Sequence, residues 1–155
     1  MITNTHDKSC LLDSFAHVAG IKPENITCWL GHAGVSRGFH TQEFIDYFYD
    51  DFAIIEIHRH PVSVNPLTGQ QSIIEMRSQA QSVRFAKWLS DGDGVLLGFN
   101  KNYTTHAVSW KNQQAHDPST GLSFDLLKIN SEGYSEGILR CEYFTPTKFL
   151  RMVQI

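Results

Sequence analysis

What most constrains this chain is the segregation of its two kinds of periodicity. Apolar residues recur at helical spacing near the start, whereas short apolar runs divided by turn residues fill the second half. Leu11, Leu12, Phe15 and Val18 predict a helix from about Ser9 to Ala19, capped by Asp7 or Ser9 and stopped by Gly20. Gly31, Gly34 and Gly38 make the stretch from Cys28 to Gly38 a loop. Thr41 caps a second helix with Phe44, Ile45 and Phe48 on its inner face, and Phe52 to His58 reads as a strand. Pro61, Asn65, Pro66 and Gly69 leave Arg59 to Gln70 irregular, and Ile73 to Leu89 suits a third helix. After the turn signal Asp91-Gly92-Asp93-Gly94 come a buried strand at Val95 to Phe99 and a hairpin of His106–Trp110 with Gln113–Asp117. Leu122–Ile129 and Ile138–Phe144 are further strand candidates, and Phe149–Ile155 is a short helix or a last strand. Helices first and strands afterwards predict an α+β fold with an antiparallel sheet against a helical half.

Length and charge narrow the function classes. A chain of 155 residues is read as one domain, 1–155, able to bury a core without staples. The 13 basic against 16 acidic residues give a net charge of −3, which argues against a general nucleic-acid binder. No run approaches the roughly 20 apolar residues of a membrane span, and the start shows no basic-then-apolar signal. The expectation is therefore a protein with no membrane partner, cytoplasmic where it is synthesised and open to delivery by a signal-independent route. Cys10, Cys28 and Cys141 are odd in number and widely spaced, unlike a disulfide framework or a zinc site.

Cys10 lies at the expected start of the first helix. Unpaired N–H groups and the helix dipole favour an anion there, so a thiol in that place becomes a better nucleophile. A small buried side chain would also suit the position. In the hairpin, a two-residue turn at Lys111-Asn112 would set His106 directly opposite Asp117, with Cβ atoms roughly 4.5–5.5 Å apart on one face. A carboxylate so placed holds an imidazole in one tautomer and stabilises its cation. The bland readings are a core histidine for His106 and a turn former for Asp117 in Asp117-Pro118-Ser119-Thr120-Gly121. A thiol, a base and an orienting carboxylate in one chain nonetheless point to nucleophilic catalysis by Cys10, His106 and Asp117.

The order of a Cys on a first helix, a His opening an apolar strand (Thr105-His106-Ala107-Val108) and a following His116-Asp117-Pro118 resembles the papain-like cysteine peptidase superfamily. Within it, the chain looks most like the small bacterial peptidases that trim leader sequences from exported peptides. The resemblance implies a papain-like fold, no cofactor, and a protein or peptide as substrate. In that family a Gln six residues before the Cys donates to the oxyanion; here Asn4 stands in that position, one methylene shorter. The implied oxyanion hole combines the Cys10 N–H with the Asn4 amide, with His6 or Ser9 as rival donors. Leu11 departs from the Gly or Trp that usually follows the Cys.

Other features are weaker. His58 and His60 lie on one side of a strand, but no carboxylate or Cys at a diagnostic spacing completes a metal site, so none is expected. The glycine loop lacks the Lys-Ser/Thr ending of a phosphate loop. It could wall a cleft, with Arg37, Phe39 and His40 as substrate contacts. Cys28 and Trp29 are read as packing residues. The expected activity is thiol hydrolysis of a peptide or isopeptide bond. The alternatives are a glutamine deamidase or transglutaminase-like effector using the same triad, and a binding module without chemistry. Nine residues before Cys10 leave no room for an inhibitory leader, implying synthesis in the active form.

Overall fold

A computed structural model describes residues 2–35, 38–58, 62–64, 67–68, 71–73, 87–100, 105–118, 121, 123–124 and 144–155. Among the described residues, three helices come first: α1 (Ile2–Ala19), α2 (Pro23–Leu30) and α3 (Thr41–Tyr47). Eight strands follow: β1 (Phe52–His58), β2 (Val62–Val64), β3 (Gln71–Ile73), β4 (Gly94–Asn100), β5 (Thr105–Lys111), β6 (Gln114–His116), β7 (Ser123–Phe124) and β8 (Phe144–Gln154). Six of them form one sheet in the order β1-β8-β4-β5-β6-β7, with every pair antiparallel. Strands β2 and β3 form a separate antiparallel pair. The fold is α+β, as the segregated periodicity predicts.

Local chemistry explains the helix ends. Gly20 adopts φ 70°, and its N–H reaches the His17 carbonyl at 3.2 Å while the Ile21 N–H reaches Ala16 at 3.1 Å. That pattern of two bonds around a left-handed glycine closes α1. Pro23 occupies the first turn of α2, where its missing N–H costs nothing, and Gly31 closes that helix with an N–H to the Thr27 carbonyl at 2.9 Å. Helix α3 opens at His40, whose N–H donates to Glu43 Oε2 at 2.8 Å. Thr41 is thus the first helical residue and His40 the cap.

Alternating residues of β4, β5 and β8 face two cores. Val95, Ala107, Leu150 and Met152 join Cys10, Leu12, Phe15, Ile26, Phe44 and Phe48 from the helices. Phe15 stacks on Phe44 with ring centroids 4.7 Å apart, tying α1 to α3. Leu96, Val108, Trp110, Ala115 and Phe149 pack with Leu89 on the opposite side. Trp110 donates its indole N–H to the Leu89 carbonyl at 2.6 Å, fixing the helical turn at 87–90 to the sheet. Burial on both faces accounts for the continuous apolar reading of β4 and β5.

Several sequence expectations need correction. Helix α1 begins at Ile2 rather than near Ser9, because nothing in the first eight residues is a helix breaker. Cys28 falls in α2 rather than in a loop, and the stretch 59–70 contains strand β2. Ile73 ends a strand, so the expected third helix is met only at 87–90; residues 74–86 lie outside the described residues. Phe149–Ile155 belongs to a strand, β8, which already starts at Phe144. Residues 125–143, with Cys141 and most of two strand candidates, also lie outside the described residues.

Candidate active site

Cys10, His106 and Asp117 come together from three elements. Cys10 is on α1, His106 is the second residue of β5, and Asp117 follows the last residue of β6. All three are buried, at 5%, 6% and 5% exposure. His106 Nε2 lies 3.0 Å from Asp117 Oδ1, and Cys10 acts electrostatically on the same ring. Burial disfavours a charged ring, but the interactions with Asp117 and Cys10 outweigh it and push His106 up to about 9. The imidazolium is therefore the form favoured at neutral pH.

The hairpin achieves this by a different register from the one expected. Its two-residue turn is Asn112-Gln113, both with positive φ (53° and 62°), and not Lys111-Asn112. Lys111 pairs with Gln114 and Ser109 with His116, so the ladder is shifted by two residues. A shift of two preserves the face, whereas a shift of one would have reversed it. Continued by one step, the ladder sets Asp117 across from position 108, diagonal to His106 and within side-chain reach. Asp117 also serves its turn, since its carbonyl accepts the Gly121 N–H at 2.8 Å. The orienting and turn-forming readings of this residue hold together.

Cys10 is placed differently from the expectation. In a helix that begins at Ile2, it lies more than two turns from the N-terminus. Its N–H belongs to the interior of the helical ladder, and the helix-start effects of free N–H groups and dipole do not reach it. The oxyanion hole read from the Cys10 N–H is accordingly not formed by that group. Asn4 shares the same helix, where six residues place it about 9 Å along the axis and a third of a turn around from Cys10. The Asn4 side chain lies outside the described residues. What remains to act on the thiol is His106.

The weaker site residues divide. Phe39 is partly buried and packs on the core, 5.0 Å from the His32 ring and 5.5 Å from Phe44. His40 caps α3, and Arg37 lies outside the described residues, as do Arg59 and His60. The loop before α3 is tied by His32, whose Nδ1 accepts the Gly34 N–H at 3.1 Å while Nε2 meets Glu43 Oε1 at 2.7 Å. Cys28 is exposed and Trp29 is 61% exposed, because Ile26 takes the buried side of α2. Trp29 contacts Tyr47 edge-on at 5.5 Å. Among the described residues, no group of three His, Cys, Asp or Glu side chains is placed to hold a metal, and no helix is long and apolar enough to cross a membrane.

The sequence reading missed a second polar cluster. His17 Nδ1 lies 2.6 Å from Ser109 Oγ, and the His17 ring meets His116 edge-on with centroids 4.9 Å apart. His116 Nδ1 lies 2.6 Å from Ser123 Oγ, and Lys111 donates to the His17 carbonyl at 2.9 Å. Burial, then the charges of His116 and Lys111, push His17 below the usual histidine value. A signal was present: His17 follows Cys10 by seven residues, which is two helical turns and the same face.

Compared with protein-family models, curated proteins and solved structures, the chain matches none.

Proposed function

We propose that this protein is a cysteine hydrolase that cleaves a peptide or isopeptide bond with Cys10 as nucleophile, His106 as base and acid, and Asp117 as the group that orients His106. The observation that carries the reading is the buried His106 ring, held by Asp117 on Nε2 at 3.0 Å, with the buried Cys10 acting on the same ring. A thiol, an imidazole and a carboxylate brought together from distant parts of the chain support this reading. The order of the three and the helix packed on an antiparallel sheet support a papain-like architecture. The interior position of Cys10 on α1 departs from that pattern and leaves the oxyanion donor unassigned.

The chemistry follows from the two ring nitrogens. With Nε2–H donated to Asp117, Nδ1 takes the proton from the Cys10 thiol. The thiolate attacks the substrate carbonyl carbon, and the carbonyl π pair moves to oxygen. When the tetrahedral intermediate collapses, the C–N bond breaks and Nδ1–H protonates the leaving amine. Water, deprotonated by the same nitrogen, then attacks the thioester and releases the acid and the Cys10 thiol.

The test is the pH dependence of iodoacetamide labelling, mapped to Cys10, Cys28 and Cys141 by peptide mass spectrometry. Cys10 should label fastest and stay reactive well below the roughly 8.5 of an ordinary thiol. That behaviour should be lost in His106→Ala. Slow labelling of Cys10, or the profile of a free thiol, would overturn the assignment and favour a binding module. Peptides cleaved at a backbone or isopeptide bond would identify a hydrolase. A gain of about 1 Da at glutamine would identify a deamidase using the same first step.

A further inference from the structure

Four polar or charged residues are buried among the described residues: Ser14, His106, Ser109 and Asp117. Three of them have side-chain partners. His106 and Asp117 hold each other, and Ser109 Oγ meets His17 Nδ1 at 2.6 Å. Ser14 is the exception. It is 1% exposed, and its Oγ has no hydrogen-bond partner among the described residues. A serine inside a helix can turn its hydroxyl to the carbonyl four residues back, which here belongs to Cys10. That bond is not made. A buried hydroxyl in this state has given up its hydration without a replacing bond, which is uncommon in a folded protein.

The position of Ser14 gives the hydroxyl a use. Cys10 and Ser14 are four residues apart on α1, so they share a helix face with Cβ atoms about 5–6 Å apart. Helical side chains lean toward the N-terminus, over the residues three and four positions earlier. The Ser14 side chain therefore leans over Cys10, which is itself buried. We propose that Ser14 is a hydrogen-bond donor to the Cys10 sulfur when that sulfur is a thiolate. The inference deepens the hydrolase reading and rests on it for its functional meaning; its geometry rests on the helix and on burial. The Cys10 N–H is committed to the helical ladder, and little water reaches a sulfur inside the core cluster. An anion in that setting needs side-chain donors. The serine hydroxyl rotates freely enough to point its O–H at the sulfur. While the sulfur keeps its proton, the hydroxyl stands without a partner, which is the arrangement in the structure. When the thiolate forms, the hydroxyl gains the bond it lacks and the anion gains a donor.

A donor to the thiolate and a packing residue respond differently to truncation. Ser14→Ala removes the hydroxyl, keeps Cβ and raises helix propensity, so the full chain should fold. Iodoacetamide labelling of Cys10, mapped by peptide mass spectrometry, should slow at pH 6 on the order of tenfold, as loss of a hydrogen bond to a charged group implies. Labelling of the exposed Cys28 in the same sample should not change. The thermal midpoint by circular dichroism is then taken for Ser14→Ala with and without Cys10→Ala. Without the sulfur, Ser14→Ala should raise the midpoint, because it removes a buried hydroxyl that has no partner. With the sulfur present, the gain should shrink between pH 5 and pH 9, because only the thiolate uses the hydroxyl. An unchanged Cys10 labelling profile in Ser14→Ala would overturn the proposal, whatever the variant does to stability. So would a midpoint lowered equally with and without the sulfur, which would assign the hydroxyl to another partner such as a buried water. If Ser14→Ala slows Cys10 but the wild type hydrolyses nothing, the donor stands and the hydrolase reading falls. If the wild type cleaves peptides and Ser14→Ala labels like the wild type, the hydrolase reading stands and the donor falls.

Discussion

Removing the Asp117 carboxylate should make the stability of this protein lose its dependence on His106. In the folded protein His106 is raised from 6.5 to about 9. That difference corresponds to about 3 kcal/mol favouring the imidazolium in the folded state. Burial works against this preference, and among the groups that raise it the Asp117 hydrogen bond comes first, with its charge adding to that of Cys10. Asp117→Ala should therefore remove the larger part, about 2 kcal/mol. A raised histidine contributes stability that is complete below about 6.5 and disappears as pH rises through about 9. The wild type should thus exceed the variant most at pH 6, and the gap should narrow by pH 10 to what the lost side chain alone costs. The assay is urea unfolding at pH 6, 8 and 10, with an NMR titration of the His106 ring in both proteins. The His106 midpoint should fall at least roughly tenfold in proton affinity in the variant. A gap that stays constant across that range, or an unmoved midpoint, would refute the argument that Asp117 charges His106.

Other substitutions probe the site and its scaffold. Cys10→Ala should abolish turnover while circular dichroism stays that of the wild type, and retained turnover would exclude Cys10 as nucleophile. His106→Ala should lower kcat/KM by roughly 10²–10⁴-fold and Asp117→Ala by less, as measured on any peptide that the wild type cleaves. Gly94→Ala should destabilise by about 1–3 kcal/mol in denaturant melts, since an added Cβ would overlap the Leu150 carbonyl oxygen and the Phe149 ring. Gln113→Gly should stabilise the hairpin by about 1 kcal/mol, because Gln113 sits at φ 62°, which glycine adopts without cost; a lowered thermal midpoint would contradict this.

The sequence by itself determined those features whose physics is local. The α+β order, the limits of β1 at Phe52 and His58, and the stop of α1 at Gly20 all follow from periodicity and turn chemistry. So does the sharing of one hairpin face by His106 and Asp117. The turn position was misplaced by one residue, yet parity survived because that displacement moves the ladder by two.

Features that depend on distant partners were decided by the tertiary structure. Strand β8 lies between β1 and β4 and runs through Thr145-Pro146, which reads locally as a break. Proline is tolerated there because β1 pairing stops at Lys148 and the β4 register shifts beside Leu97 and Gly98. The start of α1 carries no sharp local signal, and with it the sequence lost the true setting of Cys10, which lies in the helix interior rather than at a helix start. His17 and Ser109 are ordinary residues in sequence, 92 positions apart. Only the packing of α1 along β5 makes them neighbours, since loop closure and core burial, not local propensity, fix which elements meet.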